Sequence, residues 1–252
     1  MPKLSGKVAI VTGAAGGIGS ATARLFAEEG AAVALVDLRS DALAALADEI
    51  VEKGGEVLAV RADVTDEQGV RAAVDRVTGE WGRLDVLVNN AGLAMGGLLV
   101  DTALEDWNRV LAVNLTSAFL MTKHAAPRMA DGAIVNISSV AALMAVTEAS
   151  AYTAAKGGVL ALTRVAAAEL GPAIRVNCIC PGTVLTGMPE EMFRRRGDGD
   201  VEAGIAITAR KYLTGRLGTA EEIASTALFL AGPDGSFFTD AVLAADGGVS
   251  AQ

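Results

Sequence analysis

The segment Thr12-Gly13-Ala14-Ala15-Gly16-Gly17-Ile18-Gly19 restricts what this chain can fold into more than any other. A β-branched run, Val8–Val11, precedes it, and an amphipathic stretch from Ile18 to Glu29 follows, ended by Gly30. The pattern predicts a strand, a glycine turn and a helix. Gly13, Gly17 and Gly19, with Ile18 opening the helix, leave bare backbone where a Cβ would obstruct a ligand. The amides of a helix N-terminus favour anions, so such a turn suits a pyrophosphate. A purely structural turn has the same glycines; what argues against it is an acidic end to the next strand. Asp37 stands there, 18 residues after Gly19.

The strand–helix alternation recurs. Further strands are predicted at Ala32–Val36, Val57–Val60, Val86–Val88, Ala133–Ile137, Ile174–Ile179 and Val242–Ala244, separated by helix-length segments. Seven strands with helical crossovers predict an α/β protein with a doubly wound parallel sheet, a Rossmann fold. With 252 residues and 52% hydrophobic content, residues 1–252 can form a single domain around one sheet. Thr65 before Gln68 and Thr219 before Glu222 predict capping boxes, and Gly54 and Gly82 predict helix stops. Residues Thr183 to Arg216 read as one long irregular segment.

Thirty acidic against 21 basic residues give a net charge of -9, which repels phosphate backbones and anionic bilayers. No apolar run approaches the roughly 18 residues that cross a membrane, and no secretory h-region precedes the first strand. The expectation is a soluble cytoplasmic protein with neither nucleic acid nor membrane as partner. Cys178 and Cys180 lie two apart on a buried strand and read as core residues. With His124 the only histidine, the chain lacks the ligand set of a zinc dehydrogenase, and no metal is expected. His124 itself reads as an ordinary helix residue.

Tyr152-Thr153-Ala154-Ala155-Lys156 puts a phenol and an ammonium on one helix face. A phenol titrates near 10, so acting as a base at neutral pH requires lowering it by roughly 3 units, a direction in which a nearby ammonium works. Spacing alone leaves open a solvated surface pair.

In combination these motifs resemble the short-chain dehydrogenase/reductase family over essentially the whole chain. The glycine signature, Asn89-Asn90-Ala91-Gly92, Val113-Asn114-Leu115, Ser139 standing 13 residues before Tyr152, Pro181-Gly182 with Thr186, and Asp246-Gly247-Gly248 appear in the family's order. The resemblance implies a hydride exchange between NAD and a small-molecule secondary alcohol or ketone. It makes Tyr152 the general acid/base, Lys156 the holder of the ribose hydroxyls, Ser139 the partner of the substrate oxygen, and Asn114 the holder of a water linking Lys156 to solvent. It also assigns Asp63-Val64 to the adenine, Asn90, Ala91 and Gly92 to the cofactor wall, and Thr186 to the carboxamide, with Leu38, Pro181, Gly182 and Val184 among the cofactor contacts.

Asp37 can accept hydrogen bonds from the adenosine ribose and repel a 2′-phosphate, which favours NAD; Arg39 nearby leaves dual use open. Two alternatives stand: an NADPH-dependent 3-oxoacyl-carrier reductase, and a non-catalytic dinucleotide-binding sensor or scaffold. By the same resemblance Thr183 to Arg216 is a mobile substrate lid, with Met188, Met192, Phe193 and Tyr212 as its apolar residues and glycines giving mobility at its tip. Arg194-Arg195-Arg196 beside Glu190 and Glu191 read as a solvated charged face. The apolar helix from Tyr152 to Leu170 reads as buried on more than one side, and the resemblance implies a homotetramer built on it.

Overall fold

The computed structural model describes residues 2–186 and 190–251. Strands β1 (Val8–Thr12), β2 (Ala32–Asp37), β3 (Glu56–Arg61), β4 (Val86–Asn89), β5 (Gly132–Ile137), β6 (Ile174–Pro181) and β7 (Val242–Ala245) form one sheet in the order β3-β2-β1-β4-β5-β6-β7. Every pairing is parallel. The order reverses between β1 and β4, and there the crossovers leave a crevice at the carboxyl ends of the strands.

Helices α1 (Gly17–Glu28), α2 (Ser40–Glu52), α3 (Glu67–Trp81), α4 (Leu104–Leu111), α5 (Ser117–Ala125), α6 (Ser150–Leu170), α7 (Glu190–Arg196), α8 (Val201–Ala209) and α9 (Ala220–Ala231) complete the described elements. The central strands read as unbroken apolar runs because both of their faces are covered. Val33 and Leu35 face Phe26, Leu46 and Leu230 of α1, α2 and α9. Ala34 and Val36 face the opposite layer, with Val74, Met121 and Ala166 of α3, α5 and α6.

Gly54 and Gly82 follow α2 and α3 with φ of +83° and +70°, and Thr219 forms the expected capping box with Glu222. The cap of α3 differs from expectation. That helix begins at Glu67, so Asp66 rather than Thr65 reaches its free amides, accepting from Gln68 and Gly69 at 3.2 and 3.0 Å. The Thr65 hydroxyl donates instead to Asp63 at 2.7 Å. Asp66→Ala is therefore expected to cost about 1 kcal/mol and Thr65→Ala clearly less, as read from urea midpoints.

About half of the described residues in the segment expected to be irregular are helical, in α7 and α8. Phe193 and Tyr212, with Leu217, are buried in a small core of their own, against Met192, Ile205 and Val249. Helical spacing of apolar residues among Glu and Arg lets α7 and α8 bury their stripes on each other. At the tip, a Cβ on Gly197 would strike the Asp200 carbonyl, and on α8 one on Gly204 would strike the Phe193 carbonyl. The two permit close packing, whereas Gly199, at φ +100°, turns the chain. Arg194, Arg195 and Arg196 pair with Glu190, Glu148 and Thr208 at 2.8, 3.4 and 3.0 Å. Met188 lies outside the described residues.

Candidate active site

Two loops meet where the sheet order reverses. Thr12 Oγ1 accepts the amides of Asn90 and Ala91, both at 3.0 Å, and donates to the Val88 carbonyl at 3.3 Å. The Asn90 amide group donates back to the Thr12 and Gly13 carbonyls at 2.9 and 3.2 Å. This clasp explains two of the glycines: a Cβ on Gly13 would lie 2.9 Å from Ala91 Cα, and one on Gly19 would meet the Gly13 carbonyl and, at 2.7 Å, Asn90 Nδ2. Gly17 is bare because Thr186 sits over it, its Cβ 2.7 Å from where a Gly17 Cβ would be. Glycine in this turn thus serves close approach of protein to protein. The start of α1 carries no side-chain cap and no acidic residue, leaving its amides for an anion.

Asp37 ends β2 and is nearly buried. It accepts the Ala15 amide at 3.1 Å, the Arg39 amide at 3.1 Å and the Arg39 guanidinium at 3.2 and 3.3 Å. Burial disfavours its charge, but the bonds from Arg39 and Ala15 outweigh that and hold the carboxyl below the usual carboxylate range. Leu38 is exposed beside it. Asp63 accepts the amide and hydroxyl of Thr65 at 2.9 and 2.7 Å, and the Val64 side chain enters the core.

The second group of predicted residues converges beside the first. α4 and α5 are joined by a π-helical turn, residues Ala112–Thr116, that carries Asn114. Asn114 is buried, donates to the carbonyls of Leu93 and Val110 at 2.7 and 2.9 Å, and accepts the Leu93 amide at 3.2 Å. A Cβ on Gly92 would be 3.0 Å from Asn114 Oδ1 and 3.5 Å from Lys156 Nζ, so Gly92 lies in the gap between the two side chains. Ser139 follows β5 in extended conformation and accepts the Ala141 amide at 3.1 Å, with its hydroxyl on the side of the Tyr152 phenol. Lys156 Nζ lies 5.6 Å from the Tyr152 ring centroid and donates to the Ile137 carbonyl at 2.9 Å. Tyr152 and Lys156 are therefore not a solvated surface pair.

On the far side, Gly182 fits between Tyr212 and Asp246, and the Tyr212 hydroxyl accepts the Thr183 amide at 2.7 Å. Pro181 ends β6, and Val184 is buried and bridged to Gly218. Thr12 and Tyr212 were missed as clasp residues because their partners lie 78 and 29 positions away and no local pattern marks them.

Burial pushes the Tyr152 phenol up, with the Ser139 hydrogen bond acting against it. The lowering expected from Lys156 is not achieved by the protein alone. Burial also pulls the Lys156 ammonium down to about 8. Below that value the native state pays for a buried charge that the unfolded chain does not bury, so stability rises with pH from about 8 to about 10.5, where the unfolded lysine also deprotonates. Lys156→Met is accordingly expected to melt higher than the wild type at pH 7, by the equivalent of about 1–3 kcal/mol, with the gap closing toward pH 10. Calorimetry across that range checks the sign.

Comparison with known proteins agrees with this geometry. A family model described as enoyl-(acyl carrier protein) reductase matches residues 13–250. The chain is 42% identical to D-threitol dehydrogenase of Mycolicibacterium smegmatis, over 98% of this chain and 94% of that protein. It is 39% identical to the 3-oxoacyl-[acyl-carrier-protein] reductase of Thermotoga maritima, over 98% and 99%. Carveol dehydrogenase from Mycobacterium avium, solved in complex with NAD, superposes with a TM-score of 0.97 at 31% identity, covering 100% of both chains. The fold and site define a nicotinamide-dinucleotide oxidoreductase acting on an alcohol/carbonyl pair. The chain belongs to the short-chain dehydrogenase/reductase family.

Proposed function

We propose that the protein is an NAD-dependent dehydrogenase of secondary alcohols, also able to run in reverse, with Tyr152 as its general acid/base. The observation that carries this reading is the convergence of the Ser139 hydroxyl, the Tyr152 phenol and the buried Lys156 ammonium beside an uncapped helix N-terminus. The residues present fit the cofactor: the turn at Gly13, Gly17, Ile18 and Gly19 holds the pyrophosphate, Asp37 and Leu38 the adenosine ribose, Asp63 and Val64 the adenine. Asn90, Ala91, Gly92, Pro181, Gly182, Val184 and Thr186 flank the nicotinamide half. NAD, when bound, supplies the hydride acceptor and a positive charge beside the phenol.

Tyr152 takes the alcohol proton during oxidation and returns it during reduction. Ser139 donates to the substrate oxygen as negative charge develops there. Lys156 holds the ribose hydroxyls and favours the phenolate, and Asn114 holds the water that connects it to solvent. Asp37, ionised and fixed by Ala15 and Arg39, favours a ribose over a 2′-phosphate. A 3-oxoacyl-carrier reductase using NADPH is the second reading, supported by the Thermotoga maritima relative and by the Arg39 guanidinium beside Asp37. Comparing kcat/KM for the two cofactors separates them: preference for NAD supports the first, and preference for NADPH supports the second.

Among the described residues no helix is long and apolar enough to cross a membrane, and a cytoplasmic location belongs to the same proposal. So does a homotetramer. One face of α6 is buried, but Ala154, Ala161, Val165 and Ala168 on its other face are exposed, as is Phe119 on α5. Sedimentation velocity is expected to give about four times the chain mass.

A further inference from the structure

Ser138 is buried beside the candidate site and has no role in the chemistry so far described. Its hydroxyl donates to the main-chain carbonyl of Lys156 at 2.9 Å, while the Lys156 ammonium donates to the carbonyl of Ile137, also at 2.9 Å. Successive residues at the end of β5 thus hold the two ends of one lysine, 137 its head and 138 its root. The next residue, Ser139, is the neighbour whose hydroxyl acts on the Tyr152 phenol. Ser138 is itself fixed, its amide donating to the Ile179 carbonyl of β6 at 2.8 Å. A carbonyl inside a helix already has an amide donor four residues on, so the hydroxyl is not needed to satisfy it. What the bond adds is registration of α6 on β5 at the position of the lysine.

We propose that Ser138 is a positioning residue that anchors the root of Lys156 and thereby sets the separation of its ammonium from the Tyr152 phenol. The inference rests on the roles proposed for Tyr152 and Lys156. Long side chains reach a fixed point only if their base is fixed, and the 5.6 Å between Nζ and the ring is short enough for a small displacement to change the field at the phenol. The other titratable groups acting on this pair are the thiols of Cys178 and Cys180 on β6. The anchor is backed by a packed, buried wall of Cys178, Cys180 and Val159.

The chain has two tyrosines, Tyr152 and Tyr212. Full-length protein labelled with carbon-13 at tyrosine Cζ therefore gives two signals, and the Tyr152→Phe variant assigns them. The probe is NAD alone, at saturation, titrated with pH, so that no substrate is required. Ser138→Ala is expected to raise the Tyr152 midpoint by about half a unit, an about threefold lower phenolate-to-phenol ratio at a given pH, and Ser138→Thr to restore it. A Ser138→Ala midpoint within about 0.1 unit of wild type would overturn the proposal, even if the variant melts lower. Should Ser138→Ala fail to fold, Ser138→Cys, of similar size and a weaker donor, is judged by the same criterion. A wild-type Tyr152 that does not titrate below the ordinary phenol range with NAD bound would remove the acid/base reading and this inference together. A depressed wild-type midpoint indifferent to Ser138 removes this inference alone.

Discussion

Tyr152→Phe is expected to lower kcat by about 10²–10⁴-fold on every alcohol that the wild type oxidises, with NAD binding retained. The phenol is the proton-carrying group assigned to the substrate oxygen, and Phe preserves the ring that packs against Val110, Ala151 and Ala155. Removing the hydroxyl alone should therefore leave the pocket and the melting temperature nearly unchanged. The Ser139 hydroxyl remains to polarise the substrate oxygen, but it has no route for the proton. Stopped-flow binding of NADH, run beside steady-state turnover, separates loss of chemistry from loss of cofactor. If turnover persists at the wild-type rate, the proton goes elsewhere and the assigned role is wrong.

Asp37→Ala is expected to reverse or erase the cofactor preference. A charge-assisted hydrogen bond contributes about 1.5–3 kcal/mol, so losing the carboxylate should raise the Michaelis constant for NAD about 10- to 100-fold. The same substitution releases Arg39, whose guanidinium is held against Asp37 at 3.2 Å while most of its side chain faces solvent. A freed guanidinium beside the ribose suits a 2′-phosphate, so NADP should improve as NAD worsens. The ratio of kcat/KM for the two cofactors is the readout. A ratio that does not move would place the adenosine end away from Asp37.

These outcomes differ in how far the sequence alone reaches them. The central strands could be read because burial on both faces writes itself as unbroken runs such as Val8–Val11, and the crossover helices because each has a periodic apolar stripe. The glycine turn, Asp37, Ser139, Tyr152 and Lys156 were legible as motifs at fixed spacing. What those residues touch was not. The Thr12 clasp on Asn90 and Ala91 joins loops that only the parallel pairing of β1 with β4 brings together. The hold of Arg39 on Asp37 depends on a rotamer, and the buried state of Lys156 on the packing of α6 against β6. The packing of the segment from Thr183 to Arg216 was not legible either, because Phe193 and Tyr212 meet partners as distant as Val249. The α3 cap moved by one residue because helix boundaries are decided by which oxygen reaches the free amides, a geometric matter that Thr65 and Asp66 contest on nearly equal terms.

NAD-dependent oxidation of a secondary alcohol is measured directly as NADH formation, followed by absorbance, from a panel of polyols, cyclic alcohols and hydroxyacyl compounds offered with NAD and with NADP in parallel. At least one secondary alcohol should reduce NAD, with kcat/KM at least about tenfold above the value for NADP. Preference for NADP on the best substrate, or no reduction of either cofactor by any alcohol or oxidation of either by the matching ketones, would contradict the account.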